Sequence, residues 1–224
     1  MTITLNPGLE FSSNSISSLN GEQKTANTLS FLACRLALKV DVLDYLSLEI
    51  LAGYHSAVAN DQLDFTQLPL SLRWDRQKFK GLLLGAAFSS EPVTVKYFSL
   101  KVRGEYTLAI EKDRSWDIQL PSVSGQATGE NAFNLLTLDV TVHYDGVTGV
   151  TFFIGPRLNL LHGKFIASET IVGQQGRQEI TYRQKNLLGP LAGVIIEIAD
   201  NWELSIKASF LARTELSLAV FYIF

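Results

Sequence analysis

Taken at every second position, the sequence sets ionisable side chains on one face. That face holds ten acids, Glu10, Asp41, Glu49, Glu105, Glu111, Asp139, Asp145, Glu197, Glu203 and Glu215, and seven bases, Arg35, Lys39, Lys101, Arg103, Arg157, Lys207 and Arg213. A near-balanced set can pair into a buried network, in which removing one partner strands a charge at a cost of about 3 to 5 kcal/mol. Alternatively, it can line a narrow aqueous path and select small ions by sign. Arg35, Glu49, Lys101, Arg103, Glu105, Asp139, Arg157 and Lys207 form the candidate charge network. A turn at Val42-Leu43 would set Arg35 opposite Glu49, and adjoining strands would bring Arg103 or Arg157 toward Asp139.

Other chemistry is thinly supplied. His143 shares its face with Thr141 and Asp145, with no serine paired to it, and Asp61, Asp64 and Asp75 occur without a matching histidine motif. His55 and His162 could meet at one rim, yet two histidines lack the third protein ligand of a metal site. Gly173 and Gly176 are too isolated to cradle a phosphate. The expectation is no catalytic residue, no metal and no cofactor, hence not an enzyme. A formal net charge of −3 and the lack of a basic run argue against a nucleic-acid partner. The single cysteine, Cys34, excludes an internal disulfide and falls on the apolar face.

The elements that must position these charges are strands. From Val95 to Glu111, Phe98, Leu100, Val102, Gly104, Tyr106, Leu108 and Ile110 oppose Ser99, Lys101, Arg103, Glu105, Thr107, Ala109 and Glu111. The same split recurs where Leu32, Cys34, Leu36, Leu38 and Val40 oppose Ala33, Arg35, Ala37, Lys39 and Asp41, and again over Asn134 to Asp145 and Trp202 to Arg213. No acid or base stands in these apolar sets. Such segregation points to lipid on the apolar side, because Lys or Arg at mid-bilayer costs about 2 to 4 kcal/mol. Although 46% of residues are hydrophobic, the longest apolar runs fall well short of the ~20 residues of a membrane-spanning helix. In hydrocarbon the backbone must satisfy its own hydrogen bonds, so strands can span only as a closed barrel.

The expected fold is all-β, a transmembrane antiparallel up-and-down β-barrel of ten strands, with twelve or eight as alternatives, in one domain over residues 1–224. The spans are 3–12, 28–41, 44–57, 78–89, 94–111, 133–145, 149–161, 187–198, 201–211 and 214–224. Short turns at Val42-Leu43, 90–93, 146–148 and Ala199-Asp200 alternate with long polar segments 13–27, 58–77, 112–132 and 162–186, and a short fifth connection at Ala212-Arg213. Within them, 68–74 and 165–182 read as strand extensions above the membrane. Inward Phe31, Leu51, Leu83, Phe153, Leu191, Ile195, Leu211 and Phe221 would narrow the lumen, while Tyr54, Trp74, Tyr106, Trp116 and Phe133 are expected at the outer interface.

The chain closes on Leu216, Leu218, Val220, Tyr222 and Phe224, apolar at alternate positions and aromatic at the end. This stretch resembles the C-terminal assembly signal of bacterial outer-membrane β-barrel proteins. The chain as a whole is similar to small monomeric barrels of the outer-membrane protein A type, with two more strands. The resemblance implies a Gram-negative outer-membrane location, lipid and the barrel-assembly machinery as partners, a monomer, and an export leader that is missing ahead of Met1. The leading expectation for function is a narrow channel for passive transport of small polar solutes or ions. The alternative is a sealed barrel with a structural or surface-binding role through its outer loops; a membrane-embedded enzyme ranks third.

Overall fold

The computed structural model describes residues 2–18, 27–64, 71–111, 114–120, 123–171, 174–211 and 213–224. Leu68, Leu70, Gly173 and Ala212 of the expected extensions and connections lie outside these residues. Twelve strand segments follow in chain order: β1 (Ile3–Ser18), β2 (Asn27–Leu43), β3 (Leu46–Asp64), β4 (Ser71–Val95), β5 (Phe98–Glu111), β6 (Arg114–Leu120), β7 (Val123–Val147), β8 (Val150–Ile171), β9 (Gln174–Gln184), β10 (Leu188–Ala199), β11 (Trp202–Ser209) and β12 (Arg213–Ile223). Among the described residues every strand pairing is antiparallel.

The ring is closed and has ten strands, as the alternation predicts. It runs β1-β2-β3-β4-β5-β7-β8-β10-β11-β12 and returns to β1 through pairs such as Leu9↔Leu218. β6 adds no strand to it. It continues the line of β5 along β7, the register moving by one residue between Ile110↔Ala132 and Arg114↔Gly129. β9 stands outside the ring, bridging β8 and β1 where the short strands β10 to β12 end, with Ile16↔Gln184 on one side and His162↔Arg183 on the other.

Both termini and four tight turns share one end, called the turn end below. The turns fall at Asp44-Tyr45, Lys96-Tyr97, Thr148-Gly149 and Asp200-Asn201; the first two lie two or more residues beyond the expected positions, and the last two overlap them. Lys96 and Gly149 adopt positive φ, 54° and 71°, the handedness that a two-residue hairpin turn asks of its corners. Polar character misplaced these turns: Glu91 and Asp145 end the apolar alternation but not the strand. At the opposite, far end the expected polar loops are largely strand, for example Gly125↔Ile171 and Asp64↔Ser71. Beyond the apolar belt a strand needs only backbone pairing, so alternation there is patchy, clear at Leu72 and Trp74 but weak from Ser124 to Glu130.

The two faces of the wall separate as expected. Leu32, Leu36, Ile50, Leu82, Ile110, Phe152 and Ile154 are exposed on the outside, whereas Phe31, Ala33, Leu51, Leu83, Phe133, Leu161 and Leu191 are buried inside. Two expectations fail. Leu211 does not enter the lumen but sits 74% exposed in the β11–β12 turn with φ of 68°. Phe133 is not an interface residue: it points inward, because its parity on β7 is that of Leu135 and Asp139.

Candidate functional site

The lumen is filled in layers. Near mid-height, ten ionisable side chains from eight strands make one connected network. Arg103 donates to Glu49 and, at 2.7 Å, to Glu105. The other Glu105 oxygen accepts from Arg35 at 2.9 Å, and Arg35 also lies 3.4 Å from Glu10. Arg213 donates to Glu10 and to Ser12 and stands 3.3 Å from Glu215. Glu215 gathers Lys207 at 3.2 Å and Arg157 at 2.8 Å, and Arg157 closes on Asp139. Five carboxylates thus face five cations, so the network is neutral as a unit. The space left among these groups is about 10 Å³, room for about one water molecule.

Close approach of the strands makes this possible. A Cβ at Gly155 would collide with the Val140 carbonyl, and one at Gly53 with the Cys34 carbonyl. Glycine at these inward positions lets neighbouring backbones close up, leaving the long arginine side chains of adjacent strands to fill the centre.

Seven of the eight residues singled out from sequence meet in the network; Lys101 does not. It lies toward the turn end, 3.6 Å from Glu91, with both side chains more than a third exposed. The expected pairing of Arg35 with Glu49 is corrected. The turn falls at Asp44-Tyr45 and a bulge lies between Asp41 and Leu43, so Lys39 stands opposite Glu49 and Arg35 opposite Gly53. Arg35 instead reaches across to Glu105 and Glu10, and Glu49 to Arg103. Arg103 and Asp139 are register neighbours, as expected, but the Asp139 carboxylate is taken by Arg157. Glu10, Arg213 and Glu215 complete the circuit. Their inward parity was readable, but not that the closing pair β12–β1 would put them at its centre.

On the far side of this belt lies an apolar plug. Ile16, Leu29, Phe31, Ala57, Phe79, Leu83, Phe133, Leu161, Phe165 and Tyr182 belong to one buried cluster. Phe31 and Phe133 have ring centres 5.7 Å apart, and Phe79 meets Phe165 edge to face at 5.8 Å. Arg213 joins the two layers, its guanidinium 4.6 Å over the Phe31 ring. On the turn side, His143 stacks on Phe153 at 5.1 Å and shares a 2.9 Å hydrogen bond with Thr141.

The two histidines considered as a metal pair face opposite ways. His55 is buried in the lumen against Glu111 at 3.0 Å, and His162 is exposed on the outer face. Among the described residues no group of three or more His, Cys, Asp or Glu side chains is placed to hold a metal ion. At the C-terminus, Leu216 and Leu218 are exposed on the outer face. There Tyr222 contacts Trp202 at 4.8 Å and Phe224 at 4.6 Å.

No protein-family model matches the sequence, and no curated protein sequence is significantly similar to it. Solved structures are similar in fold. The outer membrane protease OmpT from Escherichia coli matches at 10% identity with a TM-score of 0.53, over 100% of this chain and 97% of that one. Ail, the attachment invasion locus protein of Yersinia pestis, matches at 11% identity and a TM-score of 0.37, over 100% of this chain and 98% of that one. The outer membrane protein OprG from Pseudomonas aeruginosa matches at 12% identity and a TM-score of 0.42, over 100% and 95%. The closed ten-strand ring, its apolar exterior and the match to OmpT agree: this chain has the fold of the outer-membrane β-barrels.

Proposed function

We propose that this protein is a sealed barrel of the bacterial outer membrane, acting through its far-end strand extensions rather than by conducting solutes. One observation carries the reading: the neutral charge network and the apolar plug occupy successive levels of the same lumen, leaving about 10 Å³ within the network. A ten-strand barrel is narrow enough for side chains to fill. Transport would require parting the arginine–carboxylate pairs and moving Phe31, Phe133, Phe79 and Phe165 aside together. The far-end extensions, Gly125 to Glu130 of β7, Ser168 to Ile171 of β8, β6 and β9, project paired backbone beyond the apolar belt, a platform suited to surface contact.

In this reading the turn end faces the periplasm, lipid covers the apolar exterior and the barrel works as a monomer. Leu216, Leu218, Val220, Tyr222 and Phe224 present the assembly machinery with an outward apolar stripe ending in aromatics. The test is a planar bilayer at neutral pH. The purified protein is expected to be silent over a wide voltage range, and discrete conductance steps would restore the channel reading.

A further inference from the structure

Between β8 and β1 the wall changes width along its height. On the turn side three strands, β10, β11 and β12, fill that interval; beyond Leu188, Ser209 and Arg213 the single strand β9 fills it, paired to β8 at His162↔Arg183 and to β1 at Ser17↔Arg183. Two strands fewer make a narrower wall, so the β11–β12 turn forms a ledge at the step. Asn186, in the β9–β10 connection, ties to this turn by donating from Nδ2 to the Leu211 carbonyl at 3.4 Å. The ledge carries exposed Leu187, Leu188, Phe210 and Leu211.

Just beyond the ledge the outward charges are mostly basic. Exposed His162 and Lys164 share the outward parity of β8, and exposed Arg177, Glu179 and Arg183 that of β9, with exposed Lys185 following. Glu179 neutralises Lys164 at 2.7 Å, and exposed Glu130 of β7 stands opposite Ile166, two residues from Lys164. Among the described residues Arg183 and Lys185 form no ion pair. Both border β1: Arg183 is opposite Ser17, and the Lys185 amide donates to the Ser15 carbonyl at 2.9 Å. From Val150 at the turn end to His162, β8 climbs about 30 Å at a rise of ~3.3 Å per residue and a tilt of ~40°, the thickness of a hydrocarbon core. Arg183 and Lys185 therefore stand at headgroup level, above the exposed outward Leu188, Ile206, Leu216 and Leu218.

We propose that Arg183 and Lys185 hold the headgroup of a phosphorylated lipid of the far-end leaflet, whose acyl chains lie over the ledge and down the outer face of β10 to β12. An arginine fork can take two phosphate oxygens and a lysine a third. Ser15 and Ser17 share the outward parity of β1 and bring hydroxyl donors to the same place. The unpaired cations select an anion, and the apolar residues immediately beneath them select one that carries hydrocarbon. An acidic protein would find polar strand extensions to meet it farther out, but it would leave Leu187, Phe210 and Leu211 uncovered.

Only the far-end-outward orientation of the proposed reading enters this site, not its sealed lumen, which the conductance test decides separately. The full-length protein in detergent micelles is titrated with lipid A and with lipid A stripped of its phosphates, and bound lipid is counted by native mass spectrometry. Wild type is compared with an Arg183→Gln/Lys185→Gln variant and with Lys80→Gln/Lys96→Gln, which removes two exposed cations elsewhere. Wild type should bind one lipid A. The Arg183→Gln/Lys185→Gln variant should bind it at least about tenfold more weakly, as the loss of charge-assisted hydrogen bonds implies, and wild type should discriminate against the stripped lipid to a similar degree. Lys80→Gln/Lys96→Gln should bind as wild type does. Equal binding of the two lipids, an Arg183→Gln/Lys185→Gln variant that binds as wild type, or an equal loss in Lys80→Gln/Lys96→Gln overturns the site. Displacement of lipid A by millimolar inorganic phosphate would reveal a plain phosphate site and overturn the lipid as its occupant. Should the Arg183→Gln/Lys185→Gln variant not fold, amine labelling of Lys185 in wild type decides: lipid A should slow it and the stripped lipid should not, and equal rates reject the proposal.

Discussion

Arg157 grips Asp139 through two parallel hydrogen bonds, Nε to Oδ1 and Nη2 to Oδ2, each 2.6 Å long, across the β7–β8 pair. The remaining guanidinium nitrogen, Nη1, donates to Glu215 at 2.8 Å. A planar fork with three carboxylate contacts, 2% exposed, holds its geometry in a way that a lysine could not. Arg157→Met should therefore destabilise the barrel by about 3 to 5 kcal/mol, because it strands Asp139 and part of Glu215 without a cation. Urea unfolding in lipid vesicles measures this, and a loss below about 1 kcal/mol, the scale of an exposed pair, would show that the network does not act as a buried one.

Lys101 supplies the contrast. Its contact with Glu91 is 3.6 Å and more than a third exposed on both sides. Lys101→Met should shift stability by no more than the ~1 kcal/mol of a surface pair, and the same unfolding experiment checks it. A change as large as that of Arg157→Met would mean that Lys101 belongs to the network after all.

The charge network was half legible in the sequence. Parity alone sorted Arg35, Arg103, Asp139 and Lys207 to the inside, since a strand shows alternate side chains to opposite faces and lipid admits no charge. Partners across the lumen were not legible. A turn displaced by two residues carried Lys39, not Arg35, to Glu49, and only closure of the ring brings Glu215 of β12 to Arg157 of β8. The far-end extensions were read at 68–74 and 165–182 but missed at 114–120 and 123–132. From Ser124 to Glu130 only Gly and Ala alternate with the polar residues, too weak an apolar signal to read, while Trp116, Ile118 and Leu120 alternate with Ser115, Asp117 and Gln119 over a stretch too short to stand out within a polar segment.

Two glycines should answer differently to a single methyl group. A Cβ at Gly155 would collide with the Val140 carbonyl, which belongs to the wall itself, while at Gly8 the nearest atom, the Leu218 carbonyl oxygen, is 3.4 Å away. Gly155→Ala should cost about 1 to 3 kcal/mol or prevent folding, as overpacking does, whereas Gly8→Ala should be near neutral. Heat-modified mobility on gels compares them, and equal behaviour would contradict the close approach of β7 and β8 at Gly155.

The C-terminal stripe should matter to assembly more than to the finished barrel. Phe224 is 70% exposed and touches Tyr222 at 4.6 Å, so Phe224→Ala removes little buried surface. The expected outcome is reduced insertion in cells with an unfolding midpoint close to wild type in vitro. Normal insertion would show that the terminal aromatic is not read.

The outward face admits a test by charge. Leu36 is 50% exposed beside inward Arg35, and Leu36→Arg should destabilise by about 2 to 4 kcal/mol in bilayers if hydrocarbon lies there. Near-neutral behaviour would place Leu36 outside the bilayer core.

The most direct measurement uses the native cysteine. Cys34 is the only cysteine of the chain and is exposed on the apolar exterior between Leu32 and Leu36. A spin label attached there, with the protein reconstituted in phospholipid bilayers, should collide freely with oxygen and hardly with a water-soluble nickel chelate, the signature of hydrocarbon. Strong collision with nickel, or a label shielded from both relaxants by packed protein, would contradict a barrel wall that faces lipid.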